Sequence, residues 1–89
     1  MRKTIQTSVS EIDTSLAHLD VGANARVISV SGAGSTARRL MEMGLVPGAR
    51  VHMIKAAPLG DPLEIRVRGY HLAIRRAEAQ TIRIVTCDK

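Results

Sequence analysis

The run from Arg39 to Gly48, Arg-Leu-Met-Glu-Met-Gly-Leu-Val-Pro-Gly, has to stop a helix and start a strand within a few residues. Ser35 or Thr36 can cap a helix whose Ala37, Leu40 and Met41 share one face, and Gly44 can take the left-handed conformation that ends it. Leu45 then folds back on Leu40. Pro47 presets the first central residue of a turn and Gly48 tolerates positive φ at the second, so the chain leaves in a new direction as a strand. A short helix therefore feeds a β-rich domain.

The interior of that domain must be aliphatic. The 89 residues hold one domain and one small core, with no Phe, no Trp and only Tyr70. Val, Ile, Leu, Met and Ala must carry the burial, at roughly 1.5 to 3 kcal/mol for each fully buried large side chain. About ten such positions are needed against the entropy of ordering the chain, and the strands below supply them.

From Gly22 onward the apolar residues recur with a period of two. Val27 to Val30 is the first strand. After the helix, Val51, Met53 and Lys55 point one way and His52 and Ile54 the other, which leaves the inward face undecided. Ile65 and Val67 alternate with Glu64, Arg66 and Arg68, and Leu72 and Ile74 alternate with His71, Ala73 and Arg75. Gly69-Tyr70 is the expected two-residue loop between them, a type II′ hairpin turn with the arginines on the solvent side. Ile82 to Val85 is the last strand, with Ile82 and Ile84 inward and Arg83 outward. Five short strands, tight connections and one short α-helix between the first and second strands predict a mainly β fold, a small SH3-like β-barrel whose closure hides its strand edges.

The first 14 residues are read as a flexible N-terminal extension, and residues 15–89 as the barrel domain. Ile5, Val9, Ile12, Leu16 and Leu19 recur at steps of four and three, but Thr, Ser and Val are mediocre helix formers. An amphipathic docking helix is the lesser reading there, and a turn of helix is expected at Ser15 to Leu19.

These residues resemble a known family. Arg39-Leu-Met-Glu-Met-Gly-Leu-Val-Pro-Gly48, Ala57-Pro-Leu-Gly-Asp-Pro62, Leu72-Ala-Ile-Arg-Arg-Ala-Glu-Ala79 and a closing Ile-x-Ile-Val stand in the order and spacing of the FeoA family, over roughly residues 16 to 85. The N-terminal extension lies outside the match, and Ile74 stands where the family often has Leu. The resemblance implies an SH3-like fold and an accessory role beside FeoB, the ferrous iron permease whose cytoplasmic part binds and hydrolyses GTP. It implies no catalytic residues. A similar domain ends some metal-dependent repressors, whose helix-turn-helix and dimerisation regions would not fit in this length.

Residue chemistry agrees with a non-enzymatic reading. His18, His52, His71, Cys87, Asp61 and Glu64 are the candidate ligands for iron, yet no two His or Cys fall three or four apart, so no metal site and no cofactor are expected. No Ser, His and Asp set is suggested by local motifs, and Gly32-Ala-Gly34-Ser-Thr lacks the Gly-Lys-Ser/Thr ending of a phosphate loop, which leaves it as a strand-to-helix connection. Cys87, the single cysteine, can form no intramolecular disulfide. No apolar run approaches the roughly 20 residues of a membrane span, and polar residues follow Met1-Arg2-Lys3 where a signal peptide would be apolar. A cytoplasmic protein without membrane insertion is expected, recruited to the inner face of the membrane through the permease.

Charge supplies the remaining functional signal. Between Arg26 and Val85 there are ten Lys or Arg against four Asp or Glu, a surface suited to an anionic partner. The predicted hairpin gathers Arg66, Arg68, Arg75, Arg76 and Arg83 on an outer face, and the predominance of arginine favours contacts with carboxylates. Arg66, Arg68, Arg75 and Arg76, with Leu45 and Leu59 as exposed apolar residues, are the candidate docking residues for the permease's GTP-binding part. The alternative is a basic barrel binding RNA or DNA, disfavoured because Tyr70 alone offers little for bases to stack on. Proline-rich peptide binding is weaker still, since its grooves are lined by aromatic side chains.

Overall fold

The computed structural model describes residues 13–32 and 34–87, with the backbone alone for Cys87. Its elements are β1 (Asp13–Ser15), a 3₁₀ turn (Leu16–His18), β2 (Asn24–Val30), α1 (Ser35–Glu42), β3 (Arg50–Ala56), β4 (Leu63–Val67), β5 (Tyr70–Ile74), α2 (Arg76–Ala79) and β6 (Ile82–Cys87). The six strands form one antiparallel ladder in the order β1-β6-β2-β3-β4-β5. The mainly β fold is as expected, with a sixth strand and a second short helix that the alternation did not show.

Helix α1 ends in a Schellman arrangement. The Leu45 N–H donates to the Leu40 carbonyl at 3.2 Å and the Gly44 N–H to the Met41 carbonyl at 3.0 Å, with Gly44 at φ 107°. The accompanying apolar contact brings Leu40 and Leu45 into one core, both fully buried. The turn that follows also matches the sequence reading: the Ala49 N–H donates to the Val46 carbonyl at 2.9 Å across Pro47 and Gly48. Gly48 then donates to Val27 and Val27 to Ala49, both at 2.8 Å, which docks the turn on β2.

Three local expectations are corrected. Gly34, not Ser35 or Thr36, occupies the N-cap of α1, and it makes no side-chain cap. Met41 is 41% exposed, because Ala37 and Leu40 alone complete the buried stripe of an eight-residue helix. The β4–β5 loop is Arg68-Gly69, since Val67 pairs with Tyr70. Both loop residues have positive φ, 54° and 84°, as a type I′ turn requires.

The core is aliphatic throughout. Leu16, Val27, Leu40, Leu45, Val51, Met53, Leu63, Ile65, Val67, Ile74, Ile82 and Ile84 are buried almost completely, and no polar or charged residue is buried among those described. Burial of Val51 and Met53 settles the inward face of β3 and leaves Arg50, His52 and Ile54 outward. The β-region begins earlier than expected, because Asp13 and Thr14 already pair with Val85 and Ile84 of β6. Asp13 is further held by an ion pair with Arg83 at 2.7 Å. The flexible extension expected over residues 1–14, and the docking helix that is the lesser reading there, fall largely on residues 1–12, outside those described, while the turn of helix expected at Ser15 to Leu19 is present as the 3₁₀ turn Leu16–His18.

Strands β1 and β5 stand at the two ends of the ladder, so strand pairing does not close the sheet among the described residues. The ends are joined instead by Arg76. Its Nε donates to the Gly60 carbonyl at 2.8 Å and its Nη1 to the Ala17 carbonyl at 2.9 Å, while its backbone N–H donates to Asp61 Oδ1 at 3.0 Å. One residue thereby links the turn after β1, the β3–β4 loop and the start of α2.

Two stability measurements follow. A Cβ at Gly44 would lie 2.9 Å from Arg68 Cδ in a backbone conformation that L residues resist. Gly44→Val is therefore expected to cost about 2 kcal/mol or more in denaturant unfolding. Arg76→Ala removes two charge-assisted bonds and is expected to cost about 1 to 3 kcal/mol. Arg75→Ala, which removes an exposed side chain, should stay within about 0.5 kcal/mol.

Candidate functional site

Strand register assembles a cationic outer face. Inward residues alternate with outward ones over Asn24–Val27 of β2, Arg50–Met53 of β3 and the paired parts of β4 and β5, so Asn24 and Arg26, Arg50 and His52, Arg66 and His71 share one side of the sheet. Asn24 pairs with His52, His52 with Arg66 and Arg66 with His71, forming one row across four strands. In the next register position Arg26 lies directly opposite Arg50.

The row has its own polar contacts. His52 Nδ1 is 2.9 Å from Asn24 Oδ1, and Arg66 Nη2 is 3.5 Å from His71 Nε2. An open cleft of about 290 Å³ is lined by Asn24, Arg50, His52, Arg66 and Arg68. Carboxylates do not neutralise it: the ion pairs among the described residues join Arg39 to Glu78, Lys55 to Glu64 and Arg83 to Asp13.

The candidate residues from the sequence separate into distinct settings. Arg66 and Arg68 are exposed and line the cleft. Arg75 is exposed, lies past the end of β5, and uses its backbone N–H to bond Glu78 Oε1 at the start of α2. Arg76 is half-buried in the links between segments, so its guanidinium belongs to the framework, contrary to expectation. Leu45 is also corrected: it is fully buried because the helix stop folds it into the core, and it offers no side chain to a partner. Leu59 is 95% exposed in the β3–β4 loop.

Arg26, Arg50, His52 and Asn24 were missed as members of this face. Their alternation was visible in the sequence, but only the β2–β3–β4 register brings them beside Arg66. Arg83, expected among the gathered arginines, stands on β6 against Asp13.

The candidate metal ligands remain scattered. His18 bonds Ser15, His52 faces Asn24, His71 approaches Arg66, and Asp61 accepts from Arg76. Glu64 faces Lys55, and the side chain of Cys87 lies outside the described residues. No group of three His, Cys, Asp or Glu residues is assembled among the described residues. A second open cleft, lined by Ser15, His18, Ser29, Ser31, Thr81 and Arg83, contains the contact between Ser15 Oγ and His18 Nδ1 at 2.9 Å. No carboxylate orients that imidazole among the described residues, as a catalytic triad would require. Nor is any helix in the described residues long and apolar enough to cross a membrane.

The model of the FeoA domain matches residues 14–86. Over 69 residues, 78% of this chain, the sequence is 35% identical to the Fe(2+) transport protein A/Fe(2+) transporter FeoB fusion protein of Porphyromonas gingivalis, and this match spans 8% of that longer protein. The solution structure of FeoA from Chlorobium tepidum is 40% identical and superposes with a TM-score of 0.80, covering 84% of this chain and 71% of its own. The crystal structure of Stenotrophomonas maltophilia FeoA, a prokaryotic SH3 domain protein complexed with zinc, is 33% identical with a TM-score of 0.73. It covers 80% of this chain and 88% of its own.

Charge on the outer face is predicted to contribute little to stability. Arg66→Ala should shift unfolding free energy by no more than about 0.5 kcal/mol, as chemical denaturation would read.

Proposed function

Because this chain belongs to the FeoA family, we propose that it serves ferrous iron uptake as an accessory that acts by contact, without catalysis of its own. Its partner is a FeoB-type permease, and the contact is with the permease's cytoplasmic GTP-binding part. This places the chain on the cytoplasmic side, held at the membrane by its partner.

The observation that carries the reading is the Porphyromonas gingivalis relative, in which the matching segment and the transporter are one polypeptide. A covalent link raises the effective concentration of one module near another, which is useful where the two act in contact. The surface of this chain supports docking. Leu59 presents an apolar side chain at 95% exposure, and Arg66, Arg68 and Arg75 present guanidinium groups of the kind enriched at interface hot spots.

The test is affinity purification of the tagged full chain from gently solubilised host cells after nuclease treatment, with mass spectrometry of the captured proteins. The ferrous iron permease is the expected partner. Capture of ribosomal or nucleic-acid-processing proteins without the permease would overturn the reading in favour of a basic barrel that binds nucleic acid.

A further inference from the structure

We propose that the face carrying Arg26, Arg50, Arg66 and Arg68 docks a carboxylate-rich surface of the partner protein, with the open cleft over β2, β3, β4 and the β4–β5 loop receiving Asp or Glu side chains. The proposal rests on the permease reading above and adds to it the residues and the partner's chemistry.

Two independent features point to an occupant. The first is the register that sets Arg26 opposite Arg50. Like charges at directly opposed positions are unfavourable in a sheet, and opposite charges would be favourable at the same positions. No Asp or Glu of the described chain pairs with either residue, or with Arg66 or Arg68. The isolated domain therefore bears a repulsion that an anionic surface would relieve.

The second feature is Arg68. It occupies the first loop position of a type I′ turn at φ 54°, where Asn is favoured and an L residue with a long side chain is strained. A strained position with a functional side chain is a place where folding preference has yielded to another requirement. Here Arg68 lines the cationic cleft with Arg50 and Arg66, while the stem of its side chain lies over Gly44 at the helix stop.

Guanidinium chemistry selects the ligand class. Planar forks of N–H donors match carboxylates in two-bond contacts, and Asn24 and His52 add polar groups to the same cleft. Phosphates of a nucleic acid would satisfy the same forks, but this face has no Phe, Tyr or Trp. Tyr70 belongs by alternation to the side of Leu72 and Ile74, which leaves bases only the imidazoles of His52 and His71 beside the arginines, a smaller platform than the larger aromatic rings provide.

The test measures the affinity of the full chain for the detergent-solubilised permease from the same genome at several salt concentrations. It compares the unaltered protein with Arg50→Glu/Arg66→Glu, Arg68→Asn and, as a control for charge reversal away from this face, Arg38→Glu on the exposed side of α1. The double reversal is expected to weaken binding by roughly tenfold or more, with Arg38→Glu near the unaltered value. Affinity should also fall as added salt shortens the screening length toward about 8 Å and below.

Arg68→Asn suits its turn but gives up the side-chain stem over Gly44, so its melting temperature should stay close to that of the unaltered protein while its affinity falls. Loss of binding in that variant would not reflect unfolding. Equal binding by the unaltered protein and the double reversal would overturn the proposed surface and leave the permease reading standing. Failure of the unaltered protein to bind the permease would overturn both. Arginine-dependent binding to RNA or DNA, with none to the permease, would replace the protein partner with a nucleic acid and likewise overturn both.

Discussion

Arg76 connects parts of the molecule that strand pairing leaves separate. Among the described residues the ladder ends at β1 and β5, and a sheet with two unpaired ends needs another means of holding its flanking segments together. A guanidinium can do this because it carries five N–H donors in a rigid plane and accepts nothing, so one group can serve carbonyls from different segments. Arg76 reaches Ala17 beyond β1 and Gly60 in the β3–β4 loop while starting the helix beyond β5. Glu78, two residues further on, accepts from the Arg75 N–H and pairs with Arg39 of α1, which ties the two helices together. The adjacent arginines thus have opposite uses, since Arg76 is consumed by the framework and the side chain of Arg75 is left exposed.

Inside this frame the core is built from branched and linear aliphatic side chains without an aromatic residue. Such a core depends on alternation, because each strand must present its Val, Ile, Leu or Met side chains to one side. Every outward position is then free for charge. That freedom lets the outer face accumulate arginine and histidine across β2, β3, β4 and β5 with no effect on the interior. The buried core and the cationic surface are consequently carried by opposite parities of the same strands.

Much of the framework was legible in the sequence. Gly44, Leu45, Pro47 and Gly48 specify a helix stop and a turn through local stereochemistry, and the structure shows both in the expected bonds. The β4–β5 hairpin was legible in its pairing but displaced by one residue at its loop. Glycine was assigned to the first loop position, whereas strand register placed Arg68 there. Helix α2 was missed because its four residues are too few to display a period, and its start depends on Glu78 and Asp61 bonding to the backbone.

By itself, the sequence determined the aliphatic core, the helix stop, the alternating strands and an excess of cationic groups, because each depends on residue type or on spacing within one segment. Tertiary structure alone decided which cations meet. Arg26, Arg50 and Arg66 come from three strands, and their neighbourhood is a consequence of register, which is a relation between segments. The same distinction explains the two reassigned candidates. Leu45 and Arg76 have residue types that suit an exposed interface, but packing of the helix stop buries one and three converging segments enclose the other. Chemical capacity is written in the side chain, while its use is settled by what the fold brings within reach.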